Sequence, residues 1–122
     1  QNTIVIFTSD NGGYVPATNL SELRGFKGTM DEGGVRVPFM VRWPGRIQPG
    51  VSQVPMHHVD LFPTLNAAAG VGEIGHVVDG VNLLPHWTAR SPMEKRTLHW
   101  HFPAYLQGKS DRFQRWRTTP AR

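Results

Sequence analysis

Apolar residues along this chain fall into three patterns, each predicting a different element. Ile4-Val5-Ile6-Phe7 form an unbroken run that opens onto Thr8-Ser9-Asp10-Asn11-Gly12-Gly13. Continuous rather than alternating hydrophobicity over so short a span predicts a strand buried on both faces, as in a parallel sheet. A second strand is predicted over Val35-Arg36-Val37-Pro38-Phe39-Met40-Val41-Arg42-Trp43, with Pro38 near its start or on an edge and Pro44-Gly45 closing it. Between the two, Leu20, Leu23 and Phe26 are scattered among charges and glycines. The stretch from Leu23 to Gly34 holds too many glycines for a stable helix and is expected to be an ordered loop whose backbone approaches something closely. The third pattern is helical. Leu61, Phe62, Leu65 and Ala69 share one face of a helix expected from Val59 to Ala69. Asp60 favours its first turn, Pro63 has to lie within that turn, and Gly70 suits the C-terminal cap. Val71 to Gly80 reads as a loop ending in a tight Asp79-Gly80 turn, and Leu83-Leu84-Pro85 as a short packed connection. Arg96 to Phe102 is expected to be a third strand, and nothing is assigned from Gln107 onward.

The end of the first strand is where chemistry concentrates. In open α/β sheets ligands bind beyond the carboxyl ends of the strands, and that is where Asp10 and Asn11 stand. A carboxylate beside an amide oxygen suits a hard divalent cation. The same four residues, Asp10-Asn11-Gly12-Gly13, are also good turn formers, because Asn tolerates and Gly readily adopts positive φ. Tyr14-Val15-Pro16-Ala17-Thr18 offers no clear returning strand, so the chain is expected to leave the sheet rather than form a hairpin. Calcium takes about 6–8 oxygen ligands. Two residues do not fill that shell and no second acidic cluster follows, so either no cation binds here or its other ligands lie outside these residues. Lys27, between Gly25 and Gly28, is flanked by residues small enough to let an anion reach its ammonium. A cation and a lysine aimed at one anion stabilise a sulfuryl or phosphoryl group in transfer. A solvent-exposed loop lysine fits the same residue.

Composition narrows the field in three respects. With 122 residues the chain is long enough for one modest domain, and its 13 glycines and 10 prolines describe a loop-rich one. The chain contains no cysteine, which removes disulfides, thiolate metal sites and cysteine nucleophiles from consideration within it. No apolar run approaches the length of a bilayer span. The net charge is +4, and much of the excess falls at Lys109, Arg112, Arg115, Arg117 and Arg122. Such a cluster suits phosphate or sulfate groups, or simply a solvated surface. The chain opens at Gln1, without an initiating Met or a signal peptide, which leads us to expect a fragment or processed product.

A set of ordered motifs now resembles a known family. Phe7-Thr8-Ser9-Asp10-Asn11-Gly12-Gly13, Leu23-Arg24-Gly25-Phe26-Lys27-Gly28-Thr29 and Glu32-Gly33-Gly34-Val35-Arg36-Val37-Pro38 look like the type I sulfatases of the alkaline phosphatase superfamily. Trp43-Pro44-Gly45, Val59-Asp60-Leu61-Phe62-Pro63-Thr64-Leu65 and Asp79-Gly80 continue the match in the family's order. Trp100-His101-Phe102-Pro103 and Arg117-Thr118-Thr119-Pro120-Ala121 resemble a bacterial arylsulfatase-like subgroup. The resemblance implies an α/β fold, part of an alkaline-phosphatase-like mixed sheet sandwiched by helices, leading into a smaller C-terminal α+β subdomain. Residues 1–72 would be the C-terminal portion of the catalytic domain, and 73–122 the connection and the truncated start of that subdomain. It also implies that Asp10 and Asn11 are calcium ligands and that Lys27 contacts the sulfate and helps neutralise charge as the ester breaks. The nucleophile of the family is a formylglycine made from Cys or Ser in a Cys/Ser-x-Pro-x-Arg motif. That motif is absent here, so the resemblance places it upstream and predicts that these residues alone are inactive. Sulfated small molecules or carbohydrates are the implied substrates, with no nucleic-acid partner, and an extracytoplasmic location, periplasmic or secreted, is implied as well.

The histidines divide into two groups. His57-His58 precede the predicted helix and are expected to make loop or capping contacts. His99 and His101 would share one face of the third strand, a spacing that permits a zinc pair but lacks a third ligand. The family resemblance adds a place for His101 at the mouth of the substrate pocket, with simple packing as the alternative. Two other functions are compatible with parts of the pattern. A phosphodiesterase or phosphonate hydrolase of the same superfamily would share Asp10, Asn11 and Lys27. A noncatalytic basic module binding nucleic acid or sulfated polymers would use Arg112, Arg115, Trp116 and Arg117.

Overall fold

A computed structural model describes residues 2–20 and 22–101. They gather into two compact units, one including residues 2–4 and 42–98 and the other including 5–41 and 99–101. The arrangement is a small mixed α/β one. The order of elements is β1 (Val5–Thr8), α1 (Glu32–Val35), β2 (Phe39–Arg42), a 3-10 turn at His58–Asp60, α2 (Leu61–Ala69) and α3 (Leu84–Ala89).

β1 forms where the apolar run predicts it and pairs with β2 in a two-stranded sheet. Its expected burial on both faces is not found. Val5 is 54% exposed and Phe7 58%, and Met40 on β2 is 58% exposed. Burial of both faces requires a layer on each side, and among the described residues these side chains are left uncovered. β2 is shorter than the predicted strand, because Val35 belongs to α1 and Pro38 stands just ahead of the pairing residues. α1 itself corrects the expectation of a helix-free loop. Its single turn contains Gly33 and Gly34, both buried. Their low helix propensity is overridden by contacts from outside the turn, including Gly33 N–H to the Arg24 carbonyl at 2.6 Å.

The 42–98 unit is organised around α2. The chain enters through Trp43, a buried residue whose indole N–H donates to Asn2 Oδ1 at 3.0 Å. The 3-10 turn at His58–Asp60 runs directly into α2, where Pro63 occupies the first turn as predicted. Gly70 closes the helix in the left-handed region, φ 69°, and its N–H reaches the Asn66 and Ala67 carbonyls. α3 packs against α2, and Leu83 and Trp87 are buried there. Leu83-Leu84-Pro85 is thus the cap and first turn of a helix rather than a connection. Pro85 is tolerated because a first-turn residue has no helical partner for an N–H.

The predicted third strand is a correction too. Residues 96–101 lie outside any helix or strand. A strand requires a ladder partner, and the side chain that anchors this segment, Arg96, is drawn instead to Asp60. The common strand face for His99 and His101 therefore does not exist. Phe102, Trp116 and the basic cluster Lys109, Arg112, Arg115, Arg117 and Arg122 lie outside the described residues. No helix among the described residues is long and apolar enough to cross a membrane.

Candidate functional site

The turn after β1 is built by local side-chain bonds and then locked by distant backbone. Ser9 Oγ donates to the Asn11 carbonyl at 3.0 Å, folding the chain tightly around Asp10. Asn11 Nδ2 donates to the Gly12 carbonyl at 3.1 Å, which occupies its amide nitrogen and leaves Oδ1 as its other polar atom. Asp10 is exposed. The donor set is therefore a solvent-facing carboxylate next to an amide oxygen, which fits part of the shell of a hard cation. Among the described residues no three His, Asp or Glu gather around a common point.

Two backbone hydrogen bonds bring remote segments to this turn. Gly12 N–H donates to the Gly34 carbonyl at 2.8 Å, and Lys27 N–H donates to the Gly13 carbonyl at 2.9 Å. The peptide of Lys27 is thereby tied to the turn that carries Asp10 and Asn11. Glycine is required for the approach. A Cβ on Gly12 would collide with the Gly33 carbonyl oxygen, one on Gly33 with the Gly25 carbonyl, and one on Gly34 with the Thr29 carbonyl. The close approach read from the glycine-rich loop is thus met by its own neighbouring segments. Gly25 and Gly28, at φ 82° and 92°, set the bends on either side of Phe26-Lys27. Phe26 is buried and anchors the loop, while Thr29 Oγ1 bonds both the N–H and the carbonyl of Phe26, at 3.1 and 2.9 Å. Arg24 and Asp31 pair at 3.4 Å across the loop base. With Phe26 turned inward, the neighbouring Lys27 is exposed. The arrangement presents an anion with an ammonium on a rigid loop.

His101 is exposed and outside regular structure. His57 has the capping role expected of it. Its Nδ1 accepts the Val59 N–H at 3.2 Å while its own N–H donates to Asp60 Oδ2 at 2.8 Å.

Asp60 is the residue whose importance the hydrophobic pattern hides. It is fully buried, where a helix-start carboxylate is ordinarily solvated. Its two oxygens receive the His57 N–H, the Val81 N–H at 3.0 Å and both terminal nitrogens of Arg96. Burial pushes the carboxyl up. The bonds from Arg96, His57 and Val81, with the Arg96 charge, outweigh it and hold Asp60 below its ordinary value. The Asp60 hydrogen bond in turn raises Arg96. Thr64, also fully buried, accepts the Leu83 N–H at 2.9 Å and donates to the Val81 carbonyl at 3.4 Å. Gly80 passes so close to Val59 that a Cβ would strike the Val59 carbonyl. These contacts fasten residues 80–83 and 96 onto the start of α2. Their sequence signal is faint, an Asp and a Thr four residues apart on one helical turn.

Comparison with known proteins adds an independent line. A family model described as sulfatase matches residues 1–71. The chain is 42% identical over 113 residues to a sulfatase of Formosa agariphila, a match covering 87% of this chain and 20% of that protein. It is 37% identical over 114 residues to human arylsulfatase A, covering 88% and 22% of the two. It is 37% identical over 119 residues to mouse steryl-sulfatase, covering 88% and 19%. The chain spans about a fifth of the length of these curated relatives.

Proposed function

The chain belongs to the sulfatase family, and we propose that it forms one side of the active site of an enzyme that hydrolyses sulfate esters to an alcohol and inorganic sulfate. The observation that carries this reading is the bond from Lys27 N–H to the Gly13 carbonyl, which joins an exposed lysine loop to the Asp10-Asn11 turn. Asp10 and the freed Oδ1 of Asn11 would hold calcium together with ligands from elsewhere in a longer protein. Bound there, the cation would draw charge from the sulfate oxygens. Lys27 would give its ammonium to a sulfate oxygen and stabilise the charge that develops as the ester bond breaks. Its exposed position on a glycine-bounded loop gives an anion free approach. The formylglycine nucleophile belongs to the same proposal and would come from outside these residues, so that the 122 residues alone would not turn over. The assignment of 1–72 to the catalytic domain and 73–122 to the start of a C-terminal subdomain belongs to it as well, as do His101 at the pocket mouth and an extracytoplasmic location.

The test is aryl sulfate hydrolysis by the full-length enzyme carrying Lys27→Ala. Loss of a charge-stabilising donor costs about 2.7–4 kcal/mol in barrier, roughly 10²–10³ in kcat. Lys27 is exposed, so the stability of the variant should stay within about 0.5 kcal/mol of the parent. Near-normal kcat in a folded Lys27→Ala variant would remove Lys27 from the mechanism. Substitution of Asp10 or Asn11 by Ala should weaken calcium retention measured by titration after chelation, and unchanged retention would exclude them as ligands.

A further inference from the structure

Ser52, His86 and Ser91 take no part in the Asp10-Lys27 turn, and they make a separate constellation inside the 42–98 unit. Ser52 Oγ lies 2.8 Å from His86 Nε2, and His86 Nδ1 lies 2.9 Å from the Ser91 carbonyl oxygen. A carbonyl only accepts, so the neutral imidazole carries its proton on Nδ1 and offers Nε2 as an acceptor. Ser52 Oγ also receives the Val54 N–H at 3.1 Å. With one lone pair taken by that donor, the hydroxyl hydrogen is left to point at Nε2. The direction of proton transfer, from Ser52 to His86, is thus set by the partners of both groups.

The backbone around the trio is unusual in a way that serves it. α3 ends at Arg90 in the left-handed region, φ 54°, where it is the one non-glycine residue among those described. Backbone outliers of this kind persist where the surroundings enforce them. Here the turn returns the Ser91 N–H to the Pro85 carbonyl at 3.4 Å and sets the Ser91 carbonyl on His86 Nδ1. The Arg90 guanidinium reaches across to the Gln48 carbonyl at 3.3 Å and lies against Gly50, where a Cβ would collide with it. It thereby holds the segment bearing Ser52 beside α3. The helix is anchored by Leu83 and Trp87, whereas Ser52 is exposed and His86 half-buried. A hydroxyl bonded to an imidazole that a third group orients is the geometry of an activated nucleophile.

We propose that Ser52 is an acyl-accepting nucleophile with His86 as its base, at a site that takes small activated carboxylic esters such as aryl acetates. Ser52 Oγ adds to the ester carbonyl carbon as its proton passes to His86 Nε2. The bond from that carbon to the aryl oxygen breaks, and His86 returns the proton to the departing phenolate. Water then adds to the acyl carbon, giving its proton to His86. The Ser52 oxygen leaves with that proton, and a carboxylic acid is released. Water is the only co-reactant.

The experiment treats the full-length enzyme with an alkyl fluorophosphonate and, separately, with p-nitrophenyl acetate, and maps adducts by peptide mass spectrometry. With the fluorophosphonate the P–F bond breaks, an O–P bond to Ser52 forms, the proton moves to His86 and fluoride departs. The expected result is an adduct on Ser52 forming at least 100-fold faster than on Ser91, with acetate on the same Ser52 oxygen. Ser52→Ala removes the adduct, and His86→Gln slows Ser52 labelling about 100-fold or more with an unchanged circular dichroism spectrum. Ser52 and Ser91 labelling at similar rates in the parent chain would overturn the proposal even if the His86 variant failed to fold. So would labelling of Ser52 at the parent rate in a folded His86→Gln variant. Neither Lys27→Ala nor Asp10→Ala should alter Ser52 labelling, which keeps this site separable from sulfate-ester hydrolysis.

Discussion

In the glycine-rich unit main chain bonds main chain. Gly12 meets Gly34, Lys27 meets Gly13 and Gly33 meets Arg24, all through peptide groups. In the unit around α2, main chain bonds buried side chains. The amides of His57 and Val81 end on Asp60, and that of Leu83 ends on Thr64. These peptide bonds between distant segments leave the charged groups of Asp10 and Lys27 exposed, while side chains such as Ser9 and Thr29 bond only their near neighbours. The second converts the buried Asp60 carboxylate and Thr64 hydroxyl into internal ligands and takes those two groups out of chemistry. A binding surface and a structural joint can thus be told apart by which atoms do the fastening.

The widest gap between the two schemes should open at Asp60. Asp60→Ala strands the Arg96 guanidinium and two amides, and breaking a buried pair by removing one partner costs about 3–5 kcal/mol. Urea unfolding of the 42–98 region would register it, and a loss below about 1 kcal/mol would show that the joint is not side-chain held. The counterpart in the glycine unit is Gly12→Ala, where the new methyl meets backbone oxygen rather than a yielding side chain. Overpacking of this kind costs about 1–3 kcal/mol. Gly72→Ala, with nothing within 4 Å of the added carbon, should cost nothing and serves as the control. Acid gives the smallest and most selective perturbation. The folded-state Asp60 carboxyl lies below its ordinary 3.8. Its contribution is therefore full above that pH and drains away as the pH falls through it towards the folded value. Asp60→Asn should abolish that part of the acid dependence, whereas an unchanged acid profile would shift the cause to another carboxylate.

What the chain disclosed in advance follows the same division. α2 was legible because its end signals are local, Pro63 in the first turn and Gly70 at the cap, but its apolar face is not its buried one: Phe62 and Leu65 are exposed while Pro63 and Thr64 are buried. The Asp10-Asn11 turn and the need for close backbone approach near Lys27 were legible from glycine placement. α1 was not, since its glycines fold into a helical turn under bonds to residues 9 and 22 positions away. α3 was hidden by Pro85, which breaks a helix interior but not a first turn. The strand expected from Arg96 rested on local composition, and Arg96 is instead committed to a carboxylate 36 residues earlier. The pairing of Ser52 with His86 spans 34 residues and matches no local motif.

Asp60 also gathers contacts of very different span along the chain. Its three partners stand 3, 21 and 36 residues away along the chain. The nearest contact asks almost nothing of chain entropy, and lengthening a closed loop from 21 to 36 residues adds only about 0.5 kcal/mol. One carboxylate therefore closes nested loops. The His57 turn is nearly free to form, while the Val81 and Arg96 loops close at almost the same entropic cost. Residue 96 is thus tied in through one buried carboxylate almost as cheaply as residue 81, although it lies much further along the chain.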